Sequence, residues 1–126
     1  MSRRTPTPKY VAIIAVAIGL TLHAFAAAID SSAQAASLTV ALMVWGWMPY
    51  LIAVLLIFTM QRSLIPLCGV ALPLLVDFLN AYALFVTPSS TAALNQFWIP
   101  LWNLLVVEPL GLLLGWLTVR LRLRSD

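Results

Sequence analysis

Residues 64–86 read LIPLCGVALPLLVDFLNAYALFV, a stretch of about 23 residues whose only charged side chain is Asp77. Wound as a helix at 1.5 Å per residue, it reaches roughly 34 Å, enough to cross about 30 Å of hydrocarbon. A water-facing segment of this length would need far more charge. A β-strand is excluded too, because the stretch is too long and lacks polar alternation. It therefore reads as a transmembrane helix, in which every backbone polar group finds its partner within the segment.

Three further runs have the same character. They cover about residues 10–29, 37–60 and 97–119. The chain has 126 residues, of which 63% are hydrophobic and 9% charged, where a soluble domain has about a quarter of its residues charged. The expected fold is all-α, one transmembrane domain over residues 1–126 with four membrane helices. The connections are short: DSSAQAA at 30–36, Gln61–Ser63, and TPSSTAALNQ at 87–96. Connections this short predict an antiparallel up-down bundle. Ser31 or Ser32 is placed to cap the second helix, which would then begin before Ser37.

The seven cations are Arg3, Arg4, Lys9, Arg62, Arg120, Arg122 and Arg124. If the chain alternates across the membrane, all seven fall on one side. The positive-inside rule then puts both termini and Arg62 in the cytoplasm of a cell membrane, a bacterial inner membrane being the natural setting. This pattern accounts for the net charge of +3 without nucleic acid. The arginines at 120–124 also suit anionic headgroups. Arg3, Arg4 and Lys9 before an apolar run, with Ala33-Gln34-Ala35 after it, is also signal-peptide grammar. The run exceeds the usual signal core, and residues 1–35 are expected to be retained. Tyr10, Phe58, Trp116, Phe85, Phe97 and Trp98 fall near run ends as interface anchors. Trp45 and Trp47 lie too deep for that belt, and packing is the expected role of Trp45-Gly46-Trp47.

Chemistry is sought at ionisable groups inside hydrocarbon, where a charge costs about 3 kcal/mol or more at the centre. There are three: His23, Asp77 and Glu108. Counted from the cytoplasmic ends, they lie about 13, 13 and 11 residues in, or roughly 16 to 20 Å deep. Tyr50 with Pro49 lies close to the same layer. Asn80 and Asn103 match each other about 16 residues in. Asp77 and Asn80 share a helix face at a spacing of three. Asn103 and Glu108, five apart, point roughly 140° from each other in a straight helix and converge only if it is distorted. Pro49, Pro73 and Pro109 supply candidate distortions, and Pro109 disfavours the helical region for Glu108 before it. Glu108, Asp77, His23, Asn80, Asn103 and Tyr50 are thus the candidate proton, cation or substrate site. With no lysine or arginine in the layer, the expected states are a shared proton, a His–carboxylate pair, or neutral acids bonded to Asn80, Asn103 or Tyr50. The bland alternative is that the acids only hydrogen-bond helices together.

Gly111 and Gly115 form a GxxxG pattern, and Ala15, Gly19, His23 and Ala27 repeat every four residues. Small residues at these spacings let helices approach closely. They favour a protein that works by helix association, as an accessory subunit or homo-oligomer with a membrane-protein partner in the lipid bilayer. The mid-membrane carboxylates favour the alternative, a small oligomeric transporter or channel for protons or cations. No phosphate loop, CxxC or dinucleotide fingerprint is present. One histidine cannot build a multi-histidine metal site, and the single Cys68 forms no intrachain disulfide. No cofactor, metal or enzyme activity is expected.

Overall fold

The computed structural model describes residues 7–30, 36–86 and 92–125. It is helical throughout: α1 (Pro8–Asp30), α2 (Ala36–Thr59), α3 (Leu64–Val86), α4 (Ala92–Trp102), a five-residue π segment (Asn103–Val107) and α5 (Glu108–Ser125). The last three run on as one rod, so there are four spans long and apolar enough to cross a membrane: Pro8–Ala28, Ser37–Thr59, Leu64–Val86 and Leu94–Arg124. The chain is a membrane-spanning helix bundle. The proposed cap of α2 at Ser31 or Ser32, the Ala33-Gln34-Ala35 site, Arg3 and Arg4 lie outside the described residues.

The ends of the helices follow local chemistry. α1 opens on Pro8, whose fixed φ suits a first helical position and whose missing N–H was never needed there. The carbonyl of Thr7 receives the N–H groups of Tyr10 and Val11. α2 stops at Thr59, and the turn through Arg62 hands directly to α3, where Leu67 N–H bonds to the Ser63 carbonyl at 3.3 Å. α4 begins at Ala92, not near Phe97, because the polar residues Asn95 and Gln96 are wound into the helix. Apolarity marks hydrocarbon, whereas a helix can begin in the polar layer outside it. The fourth span also continues past Val119 to Ser125, which leaves Arg122 and Arg124 in its last turn, where cations complement the helix dipole.

Outward faces are apolar: Leu55, Leu79 and Leu105 are each more than 60% exposed. Such a surface is matched to lipid. The buried apolar cluster is small, consisting of Ala12, Val16, Tyr50, Ala53, Ile57 and Val70. α3 is the central element, packing extensively on α5 and on α1. Its contact with α5 is backbone-close. A methyl group added at Gly111 would collide with the Cys68 carbonyl oxygen and lie 3.0 Å from the Gly69 Cα, and one at Gly115 would lie 2.8 Å from the Ile65 Cα. On the other side, Gly19 makes room for the Tyr50 ring and Gly46 for the His23 ring.

Candidate functional site

Asp77 lies one turn after Pro73 on α3 and is 3% exposed. Three other spans each send one side chain to it. His23 of α1 places Nε2 2.9 Å from Oδ2. Tyr50 of α2, fully buried, donates its hydroxyl to the same oxygen. Asn103, in the π segment of the fourth span, donates Nδ2 to Oδ1 at 2.7 Å. Three partners on two oxygens are within the accepting capacity of one carboxylate. The positioning groups are themselves held. The His23 ring sits over Gly46 and packs edge-on to Tyr50 at 5.8 Å, and Tyr50 lies on Gly19.

Beside this cluster is a cavity of about 20 Å³, lined by His23, Asp77, Asn80, Gln96 and Pro100 among others. That is room for about one water molecule. Asn80 therefore faces the same space as Asp77, as their spacing of three requires.

Glu108 stands apart. It is 2% exposed, and neither carboxylate oxygen has a hydrogen-bond partner among the described residues. The π segment sets its orientation. Glu108 N–H bonds to the carbonyl of Asn103, five residues back. A π turn closes on the fifth residue, so Asn103 and Glu108 share a buried face that a straight α-helix would deny them. Pro109 is the local cause: it has no N–H, and its ring pushes away the carbonyl four residues earlier. The expectation that Pro109 would drive Glu108 from the helical region is corrected here. Glu108 keeps φ −64° and ψ −47°, and the disturbance is displaced into the turn before it.

The structure thus joins His23, Tyr50, Asp77 and Asn103 directly, places Asn80 on their cavity, and puts Glu108 one turn beyond Asn103. Two residues that sequence reading assigned to packing also tie spans together: Trp45 Nε1 donates to the Phe97 carbonyl at 2.9 Å and Trp47 Nε1 to the Leu20 carbonyl at 3.1 Å. An indole N–H deep in a lipid-embedded run has to find an acceptor, and that was the signal available. Among the described residues no group of three or more His, Cys, Asp or Glu side chains could hold a metal ion. No known protein family matches this chain, and no curated protein or solved structure matches it either.

Proposed function

We propose that this chain is a small multi-pass protein of a bacterial inner membrane that moves protons through a site centred on Asp77. In this reading the four spans form an antiparallel up-down bundle with both termini in the cytoplasm. Contacts of opposite order along the chain support the arrangement: Gly19 meets Tyr50 while His23 meets Gly46, and Ile65 meets Gly115 while Cys68 meets Gly111. No enzymatic step and no cofactor belong to it.

The observation that carries the reading is a buried carboxylate, held by side chains from three other spans, that borders a polar cavity. A group used only to hold helices together has no need of that space. With room for about one water, the cargo is a proton or a bare ion, and a bulky solute is excluded. His23, with its side chain 17% exposed and next to Asp77, is the natural donor and acceptor from the cavity side. The reading as an accessory subunit or homo-oligomer drew on the short loops, the stripe of Ala15, Gly19, His23 and Ala27, and the Gly111–Gly115 pattern, with Gly19, Gly111 and Gly115 as the expected packing positions. Those positions are filled by Tyr50, Cys68 and Ile65 of the same chain, so they offer a second protein little.

The test is proton flux in proteoliposomes under an imposed potential, read with an internal pH dye. Asp77→Asn is expected to abolish flux while helicity and a cooperative thermal transition in detergent are retained. Equal flux from a folded Asp77→Asn protein would reduce the cluster to a structural tie.

A further inference from the structure

Three buried oxygens on the fourth span have no hydrogen-bond partner among the described residues: Oδ1 of Asn103 and both carboxylate oxygens of Glu108. Asn103 is fully buried and Glu108 nearly so. The two residues close a single π turn, so they stack on one face about 5 Å apart along the helix axis. Nδ2 of Asn103 is committed to Asp77, which turns Oδ1 away from that carboxylate. Every atom in this set accepts and none donates. Unpaired buried acceptors are rare in folded proteins, and inside a bilayer no bulk water relieves them. What the set lacks is a positively charged guest.

We infer that the two carboxylate oxygens of Glu108 and Oδ1 of Asn103 bind one dehydrated alkali cation, sodium. Charge decides the valence: one carboxylate and one monovalent cation sum to zero, whereas a divalent ion would leave a net positive charge in mid-membrane. Donor chemistry decides the class, because an all-oxygen set suits hard cations while zinc, copper and iron sites draw on imidazole and thiolate. Burial decides the size: the oxygens are closed to solvent, which excludes an organic ammonium. The inference rests on the transport reading for its purpose, where sodium is the ion exchanged against the proton at Asp77. Its occupancy is measured without flux.

The experiment is binding of radioactive sodium by the purified full-length chain in choline-based, sodium-free detergent buffer, with added choline chloride as the ionic-strength control. Saturable binding near one ion per chain is expected. Glu108→Gln is expected to weaken it at least ten-fold with helicity and unfolding temperature retained, and Tyr82→Phe, on the exposed face of α3, to keep it within about two-fold. Absence of saturable binding by the folded parent chain overturns the assignment, as does unchanged binding in Glu108→Gln. If Glu108→Gln alters only the protons released on titration, with no sodium bound by the parent, Glu108 is a proton site and sodium is excluded. Absence of any Asp77-dependent proton flux in the parent chain, with sodium binding intact, would instead sink the transport reading alone.

Discussion

Tyr50 shows best how single residues build this site. Its ring is fully buried against Gly19, its edge meets His23, and its hydroxyl is given to Asp77. A hydrogen bond to a charged group is worth about 1.5–3 kcal/mol, and here there is no water to substitute. Tyr50→Phe keeps the ring and removes only the hydroxyl. It is expected to lower stability by about 1–3 kcal/mol, read from denaturant unfolding in mixed micelles. An unchanged midpoint would mean that His23 and Asn103 alone satisfy Asp77. Depth was legible from sequence at this scale, because a membrane helix advances by a fixed rise and residues can be counted from its charged end. That count put His23, Asp77 and Glu108 in one layer with Tyr50 close to it; His23 and Tyr50 do meet Asp77, whereas Glu108 makes no hydrogen bond to them. Direction was not legible for Asn103: the bond to Asp77 depends on the π turn, and Pro109 announces a disturbance without saying where it will fall.

Among elements, α3 carries both the site and the closest packing. Gly69 and Gly111 face the same helix pair, yet they are not equivalent. A methyl group at Gly69 would meet the end of the flexible Leu112 side chain at 2.6 Å, while one at Gly111 would meet the backbone carbonyl of Cys68. A side-chain end can swing aside, whereas a backbone carbonyl moves only with its helix. Gly69→Ala is therefore expected to be nearly neutral and Gly111→Ala to cost about 1–3 kcal/mol, the usual range for overpacking. Thermal unfolding of the two variants side by side gives the ranking, and equal shifts would contradict the tight α3–α5 contact. The small-residue spacing was readable in the sequence, but its partner was not: GxxxG states that something comes close and leaves open whether it is another chain or this one. The boundaries of α3 could be read because the Arg62 turn and the residues after Val86 punctuate an unbroken apolar run. The start of α4 could not, since Asn95 and Gln96 interrupt its first two turns before the apolar run begins.

For the molecule as a whole, polar and dry halves are segregated. In the proposed antiparallel arrangement, the apolar residues Ala12, Val16, Ala53, Ile57 and Val70 around Tyr50 and the glycine contacts of α3 with α5 lie in the half nearest Lys9, Arg62 and Arg120. The cavity, with Asn80 and Gln96 on its wall, belongs to the opposite half. A proton entering this conformation would therefore come from the side away from the cations, with the apolar half closed beneath it. Under the proposed topology that side is the outside of the cell. Single cysteines placed in a Cys68→Ser background read this directly. In intact cells a membrane-impermeant thiol reagent is expected to label Gln96→Cys, on the cavity wall, and to leave Ile57→Cys unmodified; in inverted vesicles the label at Gln96→Cys should fall several-fold. Labelling of Gln96→Cys only from inverted vesicles would reverse the orientation assigned from the cations. Equal labelling of both positions from one side would show that the two halves are not separated, and the one-sided access on which a coupled carrier depends would then be lost.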